Sequence, residues 1–95
     1  MMENLEDHYA GDAAWNAFAP LFRGQLADYA SAEQLKQLLG GDEELADVVY
    51  GSVGDSALQW VIQPIPALSG LSPVQCLASD KTRNRLREML LRMPR

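Results

Sequence analysis

Residues 57–77 read ALQWVIQPIPALSGLSPVQCL, and the breakers inside this stretch decide the fold. An apolar segment carrying Trp60 runs into Pro64-Ile65-Pro66, then a turn at Ser69-Gly70, then Ser72-Pro73. Proline cannot continue a helix and pushes the residue before it towards extended geometry, so the first helix stops by Gln63. Ser72 reads as the N-cap of the next helix, with Pro73 in the first helical position and Gln75 completing a capping box. Leu71 and Cys76 hold the two positions of a hydrophobic staple, which sets the entry angle. The stretch is therefore a corner between two core helices.

Towards the C-terminus, Ser79 or Asp80 caps a last helix. Its Leu86, Met89, Leu90 and Met93 fall at i, i+3, i+4 and i+7 and form one apolar face. Arg83, Arg85 and Arg87 lie off that stripe, and Glu88 with Arg92 is a well-oriented i,i+4 pair. Towards the N-terminus, Asp42 caps a helix whose Leu45, Val48 and Val49 point inward, ended by Gly51 or Gly54. Before it, Ser31 with Gln34 forms a second capping box, Leu35, Leu38 and Leu39 make the apolar face, and Gly40-Gly41 stops the helix.

From Asp12, read as an N-cap, Trp15, Phe18, Ala19, Phe22, Leu26 and Tyr29 recur at helical spacing. Pro20 interrupts them. Proline is tolerated in a first turn, so two segments, near 12–19 and 20–28, are expected rather than one kinked helix. Burial alone explains this aromatic stripe, which reads as core and not as a cofactor site. Residues 1–11 have no periodic pattern and are expected to be flexible. No run alternates with period two. The reading is an all-α fold, one domain over 12–95, with roughly five to seven short helices.

The 95 residues are 47% hydrophobic and 22% charged, ordinary for a soluble globular chain. No stretch nears the roughly 20 apolar residues of a membrane span. The opening MMENLEDHYAGD is acidic and unlike a signal peptide, so a cytoplasmic location is expected. The single cysteine, Cys76, reads as a small buried thiol. Charge is divided along the chain. Residues 1–79 hold 11 acidic and two basic side chains, residues 80–95 two acidic and six basic. That cationic end is either a solvated helix face favoured by the macrodipole or a charged docking surface.

Catalysis needs a nucleophile, an acid or base, or a metal within mutual reach. The one histidine, His8, has no second ligand at a telling spacing. Asp42, Glu43, Glu44 and Asp47 cluster in a helix's first turns, where the dipole favours acids, and they do not follow EF-hand spacing. No enzyme, metal or cofactor is expected. Residues 42–62 scan loosely as helix-turn-helix. Yet no lysine or arginine lies between Lys36 and Lys81, so a recognition helix there brings no cation to DNA phosphates.

The spacing A-x-x-W-x-x-x-P-x-P-A-L-x-G-x-S-P-x-x-x-L resembles the Xre/MbcA/ParS toxin-binding domain of bacterial antitoxins. It is carried by Ala57, Trp60, Pro64, Pro66, Ala67, Leu68, Gly70, Ser72, Pro73 and Leu77. Arg83 and the Leu86, Met89, Leu90 stripe match the family's closing helix, so the likeness covers residues 57–93. Two positions depart: Ile65 stands where the family usually has asparagine, and Ser69 where it usually has glycine. Ile65 removes a polar side chain able to bond the turn backbone, which leaves the geometry of the corner open.

The resemblance implies a protein that binds and silences a partner toxin by steric blockade, with no catalysis of its own. Toxins paired with the family often carry a RES domain and degrade NAD or transfer ADP-ribose from it. It also implies a homodimer within a hetero-oligomer, a state to which surplus apolar surface on Trp15, Phe18, Phe22 and Trp60 would contribute. In the family the final helix and tail lie against the toxin, and the tail can enter its cleft. The matching contacts here are Arg83, Arg87, Arg92, Met93, Pro94 and Arg95, with Leu86 and Leu90 kept for the core. A DNA-binding regulator and a small helical adaptor are the alternatives, the first weakened by the charge map.

Overall fold

Turn residues place every helix boundary that matters here, in a computed structural model that describes residues 12–93. The α-helices are α1 (Asp12–Phe18), α2 (Ala32–Leu38), α3 (Glu43–Val53), α4 (Ala57–Ile62), α5 (Pro73–Cys76) and α6 (Asp80–Arg92). Single 3-10 turns at Ala19–Phe22, Gln25–Asp28, Gly54–Ser56 and Pro66–Leu68 join them, and no strand occurs among the described residues. The fold is a small all-α domain.

The middle of the domain is α3. Leu45, Ala46, Val48 and Val49 are all buried, because α3 packs against the turns after α1, against α2 and α4, and against α6. Asp42 starts it as expected, its Oδ1 accepting from the Leu45 amide at 3.0 Å. Gly54 ends it with φ 66°. Gly51 instead stays inside the helix, pressed against the Phe22 ring. Upstream, Gly40 and Gly41 both take positive φ. The Gly41 amide donates to Lys36 O at 2.8 Å and the Gly40 amide to Gln37 O at 3.2 Å. That pairing is the Schellman closure of α2.

Four expectations need correction. The segment 20–28 is not one helix: Pro20 sits in a 3-10 turn continuing α1, and Gly24 at φ 85° separates it from the turn at Gln25–Asp28. Ser31 occupies the N-cap of α2 but makes no side-chain cap bond, because its φ of −100° and ψ of 24° are not the extended geometry a capping box needs. Leu35 and Leu39 are buried, while Leu38 lies exposed at the end of α2. Trp15 and Phe22 are buried within the chain, so they offer no surplus apolar surface. The aromatic stripe is core, with Phe18 packed between Trp15 and Phe22 at ring distances of 5.9 and 5.1 Å. Asp12's cap role, His8 and the expected flexibility of residues 1–11 lie outside the described residues and side chains.

Candidate docking surface at the proline corner and the last helix

The corner forms as its breakers dictate. Gln63 leaves α4 extended, at ψ 141°, and Ile65 continues extended before the Pro66–Leu68 turn. Ile65 closes the turn with its backbone rather than with a side chain. Its carbonyl accepts from the Leu68 amide at 2.9 Å and the Gly70 amide at 3.1 Å, and its amide donates to Leu71 O at 3.1 Å. The corner therefore needs no polar side chain at this position, and the Ile65 side chain packs against the core instead. Ser69 takes φ 58° and ψ 34°, followed by Gly70 at φ 81°. Leu68 anchors the turn, fully buried. The predicted capping box is present: the Gln75 amide donates to Ser72 Oγ at 3.2 Å and the Ser72 amide to Gln75 Oε1 at 2.8 Å. Trp60 packs partly buried against the core, Pro73 is buried, and Pro64 and Pro66 are exposed.

Ser79 caps α6, accepting from the Thr82 amide at 3.3 Å. Thr82 Oγ1 donates to Cys76 O at 2.6 Å, and Arg83 Nη2 to Leu77 O at 3.2 Å, so both side chains brace the junction with α5. Leu86 and Leu90 are fully buried, as the stripe required, with Met89 and Met93 half-buried beside them. Burial raises the Cys76 thiol pKa above its ordinary value, and the Arg85 charge opposes that rise.

The predicted contact residues do not form one face. Arg83 and Arg87 lie one turn apart on the same side. Arg92 is nine residues from Arg83, about half a turn around the helix. Each also has a partner within the chain. Arg83 lies 3.8 Å from Asp80, Arg87 stacks 5.2 Å from the centre of the Trp15 ring, and Arg92 pairs with buried Glu88. Met93 packs against the core, while Pro94 and Arg95 lie outside the described residues.

Arg85, which lies off the apolar stripe in the sequence and is not among the expected contacts, is nonetheless turned into the fold. It is buried and donates from Nη1 to Ser69 Oγ at 2.9 Å. Its spacing of four from Met89, at the border of the apolar stripe, was the available signal. The acidic cluster is explained by structure. Asp42 caps α3, Glu44 accepts from Trp15 Nε1 at 2.9 Å, and buried Asp47 accepts from the Leu26 amide at 3.0 Å. No group of side chains suited to a metal occurs among the described residues, and no described helix is long and apolar enough to cross a membrane. Compared with known proteins, the chain matches no family model, no curated protein and no solved structure.

Proposed function

We propose that this chain is the toxin-binding part of an antitoxin, a protein without catalysis that blocks the active site of a RES-type toxin acting on NAD. The observation that supports this is the conformation of Ser69. At the position where the resembled family usually has glycine, this chain keeps left-handed backbone, φ 58° and ψ 34°, directly before Gly70 at φ 81°. Two successive left-handed residues are what a glycine pair adopts at least cost, as Gly40-Gly41 does at the end of α2. A left-handed residue at this position is compatible with the glycine that the resembled family usually carries there.

The division of charge agrees with this role. Six of the eight basic residues fall in 80–95, on the element that the resemblance sets against the toxin. Arginine pairs in a forked, bidentate way with carboxylates at such a surface. In this reading the protein works in the cytoplasm, as a dimer within a hetero-oligomeric complex, and DNA is not its target.

Co-expression with the product of the neighbouring gene tests the proposal. The chain should rescue cells from that protein and co-purify with it; neither rescue nor binding with any adjacent gene product sinks the reading. Operator DNA, assayed at moderate salt, should not be retained by the chain alone, because residues 37–80 hold no lysine or arginine.

A further inference from the structure

Residues 1–11, which precede α1, hold Glu3, Glu6 and Asp7 and no lysine or arginine. The segment lies outside the described residues, but the helix it joins does not. Helix α1 packs against α6, with the Arg87 guanidinium 5.2 Å from the centre of the Trp15 ring. Trp15 is three residues after Asp12, so the segment is attached about one helical turn from that contact. Charge leaves it one attractive place. Residues 12–79 hold eight acidic and two basic side chains, whereas residues 80–95 hold two acidic and six basic. Of those two acids, Glu88 is buried against Arg92 and Asp80 lies 3.8 Å from Arg83.

We propose that the acidic segment 1–11 docks along the Arg83–Arg87 side of α6, as an occupant supplied by the chain itself. Reach permits it. An extended chain covers at most about 3.3–3.6 Å per residue, which places Asp7 within about 17 Å and Glu3 within about 30 Å of Asp12. The helix from Arg83 to Arg92 is only about 14 Å long. The tether is what selects this occupant. Exposed charge pairs are individually weak, but a short linker holds the segment at an effective concentration in the millimolar range. A free acidic peptide at micromolar concentration has no such advantage. Any acidic partner of α6 must then displace the segment. On the antitoxin reading that partner is the toxin, and residues 1–11 cover the neutralising surface until the toxin competes for it. That consequence rests on the antitoxin reading; the docking itself does not.

The test compares the full wild-type chain with a full-length Glu3→Gln, Glu6→Gln, Asp7→Asn variant. Nitrogen–proton correlation spectra are recorded at about 20 mM and about 500 mM sodium chloride, where screening is weak and strong respectively. At low salt the Arg83 and Arg87 Nε–H signals and the α6 amide signals should differ between the two proteins, although the substitutions are remote in sequence. At high salt they should coincide. Signals from residues 56–79, which carry no charge, should match throughout. Identical α6 signals at low salt overturn the proposal, and so do differences spread equally over residues 56–79. The variant should also bind the neighbouring gene's product about two- to tenfold more tightly, because an apparent Kd rises as the open fraction falls. Shifted α6 signals with no binding to any adjacent gene product would uphold the docking and sink the antitoxin reading. Shifted signals with binding as in wild type would overturn the sharing of one surface by segment and toxin.

Discussion

Arg85 reaches from the middle of α6 to donate to Ser69 Oγ at 2.9 Å, tying the cationic helix to a left-handed residue. Left-handed backbone costs a non-glycine residue about 1–2 kcal/mol. A hydrogen bond to a charged group contributes about 1.5–3 kcal/mol, so the bond offsets the strain. Ser69→Ala keeps the strain and loses the bond, and should destabilise the fold by about 2 kcal/mol. Ser69→Gly loses the bond but relieves the strain, and should cost about 1 kcal/mol less than alanine. Urea unfolding should rank wild type above glycine above alanine. Alanine matching glycine would refute the assignment of strain.

A second tie joins α1 to α6, where Arg87 lies over the Trp15 ring while Trp15 Nε1 donates to Glu44. Cation–π contacts of a half-exposed arginine contribute about 0.5–1 kcal/mol. A double-mutant cycle of Trp15→Leu and Arg87→Ala should therefore give a coupling of about that size. Zero coupling would mean that the guanidinium only passes near the ring.

Gly51 offers an opposed pair of effects. Alanine in a helix interior ordinarily gains about 1 kcal/mol over glycine. Here a Cβ would run into the Phe22 ring and approach Gln25 Oε1 at 2.7 Å. Overpacking of this kind costs about 1–3 kcal/mol, so Gly51→Ala should destabilise despite its better helix propensity. Phe22→Leu should rescue part of the loss, and thermal melts of the two single variants and the double decide it.

Cys76 predicts a pH response. Burial raises its thiol pKa, and the nearby Arg85 charge lowers it by less. A thiol whose folded pKa is raised contributes its stability below the ordinary cysteine range and loses it as pH rises through the folded value. Stability of wild type relative to Cys76→Ala should thus fall above about pH 8.5. An aromatic disulfide reagent at pH 8 should label the native protein at least about a hundredfold more slowly than the unfolded chain. Equal labelling rates would place the thiol at the surface.

The parts of the fold that were legible in the sequence are those fixed by local chemistry. Ser72-Pro73 with Gln75, Asp42 before Glu43, Gly40-Gly41 and the Leu86–Leu90 stripe act within a few residues, and each stands where its motif put it. Gly24 was missed because its left-handed turn follows a Pro20 helix start that reads as continuous. The Ser31 box failed because residue types alone do not reveal a backbone at ψ 24°. At the candidate surface the partners of Arg85 and Arg87 lie 16 and 72 residues away in sequence, at Ser69 and Trp15, and no local pattern encodes such a meeting.

The placement of the neutralising contacts gives the last prediction. If the tail plugs the toxin's cleft, Pro94 and Arg95 matter for binding and not for folding. Met93 is different, since it packs against the core and its amide donates to Leu90 O at 3.4 Å. A chain ending at Met93 should keep the wild-type melting temperature and lose neutralisation by at least about tenfold, roughly 1.4 kcal/mol. Removing Met93 as well should lower both neutralisation and melting temperature. Arg83 and Arg87 share one side of α6, whereas Arg92 lies about half a turn from Arg83, so one flat partner surface meets one group or the other. Arg83→Glu should slow association, and the deficit should grow as salt is lowered, as a steering charge requires. Arg92→Glu opposes buried Glu88 and should cost stability first, which a melt detects before any binding assay. Full protection of cells by the chain ending at Met93 would remove the tail from the mechanism and leave α6 as the docking element.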